Sequence, residues 1–346
     1  MPSIKLLLVD DSPLAIHSLK KIFSQTEDIT VVGTATNGKE ALDLIPSLKP
    51  DVICTDYYMP VMNGLELTKE IMKRQPMPIL ILSAFASKDE DLIFNVVNAG
   101  AIEVYPKSNQ ADVEKNKVYS RNLINKIKIL AGVVAIKKRK VEPALNKKPL
   151  QTVPVERRNG IRVLAVGSST GGPNVLETIF SKLPEKYPIP IVCAQHIGAE
   201  FLENFVKWLD TQCELNVCIA EDRGTPVPGN IYFPKKKHQL EIDSKGRFSH
   251  HPEQKEHLNC PSVNTLFLSM AKHYGESCMG VILTGIGSDG AQGMAEIAKE
   301  GGGTIAQKEG TCTVFGMPKE AMALTKIQFI LSPEQIQEKL LSLGNK

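Results

Sequence analysis

Short runs of β-branched and aliphatic residues alternate along this chain with segments whose apolar residues recur every three to four positions. Ile4–Val9, Thr30–Thr34, Val52–Thr55, Ile79–Leu82 and Ile102–Tyr105 predict strands, each bounded by polar or turn-forming residues. Leu14–Phe23, Lys39–Leu48 and Gly64–Arg74 carry helical spacing between them, and a further helix is expected near Val113–Ala135. Five such βα units predict an α/β domain on a doubly wound parallel sheet, covering residues 1–136. The rhythm stops at Lys137–Gly160, a stretch with Lys137-Lys-Arg-Lys140, three prolines, Arg157-Arg158 and few apolar positions. That composition reads as a solvated linker rather than a nucleic-acid patch. Residues 161–346 then begin a second α/β pattern, with strands predicted at Ile161–Val166, Ile189–Ala194, Val217–Ala220, Ile231–Phe233, Gly280–Leu283 and Gly303–Ala306. A hairpin is expected over Gln239–Ser249, turning at Ser244-Lys245-Gly246. This predicts a mostly parallel, doubly wound α/β domain with an added β-hairpin.

Composition changes this picture little. A chain of 346 residues is long enough for two domains with their own cores, and 42% hydrophobic with 23% charged residues is ordinary for a globular protein. A net charge of +3 points to neither nucleic acid nor a membrane surface. Seven scattered cysteines without a Cys-x-x-Cys pair read as reduced thiols. The first apolar run ends at Asp10-Asp11, too soon for a signal peptide, and no stretch approaches the roughly 18 apolar residues of a membrane span. The expectation is a cytoplasmic protein with no direct membrane insertion.

Candidate chemistry in the first half lies at strand ends. Asp10 and Asp11 follow the first strand, Asp56 the third, Ser83 ends the fourth and Lys107 the fifth. In a parallel sheet these ends converge on one edge, where three carboxylates repel unless a divalent cation joins them. Hard oxygen ligands suit Mg²⁺, and a hydroxyl and an ammonium opposite would hold an added phosphoryl group. The set Asp10-Asp11-Ser12, Asp56 with Met59-Pro60-x-x-Asn63-Gly64, Ser83-Ala84 and Lys107 resembles the response-regulator receiver domain over roughly residues 3–130. The resemblance implies a flavodoxin-like (βα)5 fold with Asp56 as phosphoacceptor. It further implies Asp10, Asp11 and Asp56 around Mg²⁺, and Ser83 and Lys107 as phosphate contacts. Ser108 stands where receivers usually have proline, and Val104 where they often have an aromatic switch residue.

In the second half, Val163-Leu-Ala-Val-Gly-Ser-Ser-Thr-Gly-Gly-Pro173 runs a short strand into a Gly/Ser-rich turn followed by a helix-like run. Gly167-x-Ser169-x-Gly171 fits the nucleophile-elbow pattern, although Gly-rich strand–helix turns also cradle phosphates. His196 follows the second strand of this half and Asp289 the strand Gly280–Leu283, so base and acid candidates sit at the same edge as Ser169. The order Ser, His, Asp differs from the usual α/β-hydrolase order, so the ordinary form of that fold is not expected. A rival reading is Gly285-x-Gly287-x-x-Gly290 with Glu309 about 20 residues on, the dinucleotide spacing. It comes late in its domain and puts Asp289 where a pyrophosphate would lie, so cofactor binding ranks second. His250, His251 and His257 read as solvated histidines, Cys312 as a packed strand residue, and Trp208 as part of an amphipathic helix face. A transcriptional regulator would need a helix-turn-helix after the linker, and none is patterned there.

Further segments sharpen the reading: Val166-Gly-Ser-Ser-Thr-Gly-Gly-Pro173, Ala194-Gln-His196, Ala220-Glu-Asp222 with Pro228-Gly229, Pro261-Ser-Val263, Leu283-Thr-Gly-x-Gly-x-Asp-Gly290, and Gly301-Gly-Gly-Thr-Ile-Ala-Gln307 with Phe315-Gly-Met-Pro318. Together these resemble the chemotaxis protein-glutamate methylesterases over roughly residues 161–340. The resemblance implies a Ser169–His196–Asp289 triad, with oxyanion donors at the amides of Thr170 and Ile286 and no cofactor for the hydrolysis. It implies methyl-accepting chemoreceptors as substrate, a chemotaxis histidine kinase as phosphodonor, glutamine deamidation in some members, a monomer, and no nucleic-acid partner. It also leads us to expect that the receiver covers the active-site face until Asp56 is phosphorylated. Three departures stand out: Ile286 for a frequent Met, Ser288 for Asn, and a basic Tyr232-Phe-Pro-Lys-Lys-Lys-His238 where the family often reads Ala-Pro-Pro-Gly.

Overall fold

The computed structural model describes residues 3–83, 95, 99–101, 103–107, 117–132, 160–252 and 260–344. Its first sheet holds β1 (Ile4–Val9), β2 (Ile29–Ala35), β3 (Val52–Asp56), β4 (Ile79–Ser83) and β5 (Glu103–Pro106), in the order β2-β1-β3-β4-β5 with every pair parallel. Leu7, Ile53 and Ile81 bury one face of this sheet and Leu6, Cys54 and Leu80 the other, as a sheet covered on both sides requires. Helices α1 (Pro13–Phe23), α2 (Gly38–Leu48) and α3 (Gly64–Arg74) start on side-chain caps from Ser12, Asn37 and Asn63. The last of these is a capping box, in which Asn63 and Glu66 each accept the other's amide. Helix α4 (Lys117–Leu130) closes the domain inside the span expected for it.

The second sheet has seven parallel strands in the order β14-β13-β12-β6-β7-β9-β8. They are β6 (Val163–Ser168), β7 (Ile191–Gln195), β8 (Asn216–Ile219), β9 (Asn230–Phe233), β12 (Cys278–Ile282), β13 (Gly303–Gln307) and β14 (Phe329–Leu331). Beside it stands the antiparallel pair β10 (His238–Ile242) and β11 (Phe248–Pro252). The helices are α5 (Gly172–Phe180), α6 (Leu202–Gln212), α7 (Val263–Tyr274), α8 (Ala291–Lys299), α9 (Met317–Leu324) and α10 (Pro333–Gly344). From β6 the chain moves outward to β7 and later returns to the other flank as β12. The carboxyl ends of β12, β6 and β7 therefore border the crevice where strand order reverses.

Differences from the sequence expectations are local. β6 begins two residues later than Ile161 and runs on to Ser168, and β7 is shifted the same way. Neither β14 nor the helices α7, α9 and α10 were expected. The hairpin turn is built by Asp243, whose Oδ1 accepts the amides of Lys245 and Arg247, with Gly246 at φ 77°. Most of the predicted linker, together with Ser108 and His257, lies outside the described residues. Among the described residues, no helix is long and apolar enough to cross a membrane.

Candidate active site

The turn after β6 is held from three sides. The Ser169 amide donates to the Thr284 carbonyl (3.0 Å), and the Gly172 amide closes back on the Ser169 carbonyl (2.8 Å). The Thr284 hydroxyl donates to the Thr170 carbonyl (3.0 Å) and accepts the Val314 amide. The fully buried Gln195 staples the two strand ends: its Nε2 donates to the carbonyls of Ser169 and His196, and its Oε1 accepts the Ser168 hydroxyl at 2.6 Å. The left-handed residue of the turn is Gly171, at φ 79°, where an added Cβ would lie 2.2 Å from Thr313 Oγ1. Ser169 itself is not among the positive-φ residues, so the left-handed conformation that strains the usual nucleophile elbow is taken here by a glycine, which adopts it without strain.

Parallel pairing brings residues 169 and 196 to the ends of neighbouring strands. Ser168 stands opposite Gln195, and the His196 amide donates to the Ser168 carbonyl (2.9 Å), so Ser169 and His196 leave adjacent strands at the same level. His196 Nε2 donates to Asp289 Oδ2 at 2.7 Å. The same carboxylate caps α7: Oδ2 accepts the Val263 amide (2.8 Å), and Oδ1 accepts the Asn264 amide (2.9 Å) and the Ser262 hydroxyl (3.0 Å). Burial alone would raise this carboxyl, but His196 and the two amides outweigh it and hold Asp289 below the ordinary carboxylate range. Sequence reasoning missed Ser262, Asn264 and Gln195 as supports. The start of α7 was legible, because Ser262 is an N-cap whose hydroxyl also accepts the Thr265 amide.

The loop after β12 abuts this turn. A Cβ on Gly285 would stand 2.7 Å from the Ser169 Cβ, and the amides of Gly316 and Met317 both donate to the Gly285 carbonyl. Among the described residues, the amides of Thr170 and Ile286 have no protein partner, which leaves both free to meet developing negative charge. The dinucleotide reading of this loop finds no support. Two first-turn amides of α8 are already paired, Ala291 with the Ser288 carbonyl and Gly293 with Asn264 Oδ1, and Asp289 is committed to His196 and α7.

At the carboxyl edge of the first sheet, oxygens of Asp10, Asp11 and Asp56 all lie within 4.8 Å of one another, a hard-ligand set that fits Mg²⁺. Lys107 Nζ lies 2.7 Å from Asp10 Oδ2 and 2.9 Å from Asp56 Oδ2. Burial, helped by the Asp10 charge and only partly offset by Lys107, pushes the Asp56 carboxyl above its ordinary range. Burial would lower the Lys107 ammonium, but its bonds to Asp10 and Asp56 hold it above its usual value. The Lys107 amide donates to the Ser83 carbonyl, which sets the two phosphate-contact candidates on neighbouring strand ends.

The two halves meet at β5. The Thr170 hydroxyl, one residue past Ser169, donates to Glu103 Oε2 at 2.8 Å, and the other Glu103 oxygen pairs with Lys126. Half-buried Val104 and Ile197 pack on one apolar cluster that includes residues of both sheets. Ser169 and Thr170 are only 5% and 2% exposed. Two further expectations need correction. His250 is not solvated: it follows buried Phe248 on one face of β11, opposite buried Leu240, and its side chain is 3% exposed. Burial, then the nearby Lys235 charge, pushes its imidazole down to about 4. Cys312 lies in a loop after a short turn rather than in a strand, and burial pushes its thiol up to about 12, which removes it as a nucleophile. Trp208 lies in α6 and is buried.

Residues 164–340 match the family described as CheB methylesterase, and residues 6–118 match the response regulator receiver domain. The chain is 35% identical over 347 residues to the protein-glutamate methylesterase/protein-glutamine glutaminase of Nitrosospira multiformis, covering 98% of this chain and 97% of that protein. A homologue of the same description from Carboxydothermus hydrogenoformans is 38% identical, with 98% and 99% covered. Among solved structures, the CheB methylesterase catalytic domain of Thermotoga maritima superposes with a TM-score of 0.51 at 34% identity, covering 54% of this chain and all of that one.

Proposed function

The chain belongs to the CheB methylesterase family and carries a receiver domain in front, and from that premise we propose that it hydrolyses glutamate methyl esters on chemoreceptors through Ser169, His196 and Asp289. The observation that carries the residue assignment is the His196–Asp289 hydrogen bond, formed where β6 and β7 deliver Ser169 and His196 side by side. A carboxylate only accepts, so the proton sits on His196 Nε2 and the lone pair on Nδ1. Nδ1 is therefore the base. It takes the Ser169 proton as Oγ attacks the ester carbonyl, and the imidazolium is stabilised by Asp289. The amides of Thr170 and Ile286 hold the oxyanion. His196 returns the proton to the departing methoxide, giving methanol and an acyl-enzyme. Water, deprotonated by His196, then releases the glutamate and restores Ser169. The same steps with ammonia as leaving group give glutamine deamidation.

Regulation is proposed to run through Asp56, phosphorylated by a chemotaxis histidine kinase. Asp10, Asp11 and Asp56 would hold Mg²⁺, whose chemistry is to neutralise charge at the phosphoryl group. Ser83 and Lys107 would contact the added oxygens. Lys107 follows β5, and β5 begins at Glu103, the residue bonded to Thr170, so a new partner for Lys107 acts on the strand that covers the site. The proposed units are 1–136, 137–160 and 161–346. Methanol release from methylated receptors, with and without acetyl phosphate, tests the scheme. Ser169→Ala should lower kcat by at least about a thousandfold without unfolding the protein; residual activity near wild type would reject the triad.

A further inference from the structure

Three consecutive lysines, Lys235, Lys236 and Lys237, lie in the turn between β9 and β10, and neither the triad nor the phosphorylation site uses them. Lys236 and Lys237 are exposed and Lys235 is half-buried. The turn leaves the carboxyl end of β9, which pairs in parallel with β7, so it opens on the same sheet edge as His196. Short bonds tie it to the catalytic acid. Gln239, two residues past the turn, accepts the Ser262 amide at 2.6 Å, and the Ser262 hydroxyl donates to Asp289. Lys237 is held at φ 57°, in the left-handed region that glycine occupies without strain, yet the chain places a long cationic side chain there. Exposed Arg223, just past β8, adds a fourth positive charge to the same edge. The acids beside it are Glu221 and Asp222, and Asp222 is turned to the hairpin, accepting the His250 amide at 3.3 Å.

We infer that the Lys235–Lys237 turn is a docking element that reads free carboxylates flanking the methylated glutamate on an acidic substrate helix. This rests on the methylesterase reading of Ser169. Each hydrolysis converts a neutral ester into a carboxylate, so a helix with several modifiable glutamates grows more negative as it is processed. Side chains one and two turns from the reacting ester are displaced by about 5 and 11 Å along the helix axis, a span that a run of flexible lysines can sample. An ammonium on a four-carbon stem suits carboxylates whose spacing is not fixed, where a guanidinium fork would demand one geometry. Charges at such a rim act on encounter and register, and their effect fades with salt.

Two synthetic helical peptides test the inference with the full chain activated by acetyl phosphate. Each carries one glutamate γ-methyl ester, flanked one and two turns away by glutamates in one peptide and by alanines in the other, and methanol is the readout. The wild type is expected to favour the acidic peptide about tenfold in kcat/KM at low ionic strength, through KM, with the preference fading in 0.5 M NaCl. In K235Q/K236Q/K237Q the ratio between the two peptides should fall close to one. A wild type without acid preference, or a triple variant that keeps it, overturns the docking element while leaving the esterase intact. Methanol from neither peptide overturns the esterase reading and this inference with it.

Discussion

Asp289 joins two tasks in one carboxylate, orienting His196 and capping α7. Asp289→Asn should therefore lose turnover by about a thousandfold or more, because an amide no longer fixes the tautomer. It should also lose stability, by about 1–2 kcal/mol at pH 7. The folded carboxyl is held below its ordinary value, so its stabilisation is complete above about pH 4 and disappears as pH falls through the lower folded value. Urea unfolding of wild type and variant should therefore converge in acid. Asp56 has the opposite sign. Its carboxyl is raised, so the fold favours the protonated form and the charge is a penalty above that raised value. Asp56→Asn should stabilise the receiver by about 1 kcal/mol at pH 7 and by nothing well below pH 4, read as a rise in Tm at neutral pH alone. The residues at strand ends were legible because chemistry-bearing types stood at each predicted terminus. His250 was not, because a histidine in a short hairpin reads as polar until the alternation Phe248, His250 is set against Leu240 across the pair.

At the scale of elements, the site is a junction of two loops that pack too closely at Gly171, Gly172 and Gly285 to admit an added Cβ. A Cβ on Gly285 would meet both Met317 Sδ (2.2 Å) and the Ser169 Cβ (2.7 Å), and only the methionine can move aside cheaply. Gly285→Ala should cost about a hundredfold in kcat, with a smaller loss of stability, measured by methanol release and by urea unfolding. Wild-type turnover in that variant would separate this loop from the nucleophile. The βα rhythm made the sheets legible, since Leu6, Ile53, Ile81, Val166 and Ile191 lie in continuous apolar runs of the kind doubly covered strands need. β14 escaped because its apolar run, Phe329-Ile330-Leu331, is only three residues long and leaves Ile330 half-exposed. Gln195 escaped because its value lies in three bonds to backbone and hydroxyl groups that no spacing announces.

For the whole molecule, what matters is the contact between the two halves, made one residue past Ser169. Glu103 accepts from Thr170 and pairs with Lys126, and nothing in its own strand's sequence marks it, since a contact across 67 positions leaves no local pattern. Glu103→Ala should raise methanol release from the unphosphorylated protein about three- to tenfold and change the acetyl-phosphate-treated rate little; equal rates in the untreated proteins would show that this bond does not hold the covered state. Ser169, His196 and Asp289 are drawn from strands whose partners lie far apart in the chain, with 93 positions between His196 and Asp289 alone. A ribosome therefore completes the receiver well before Asp289 emerges, and domains fold as they are made. Under the proposed scheme the restraining half is thus in place before the activity it restrains, which shortens any interval of unsupervised hydrolysis in a newly synthesised copy.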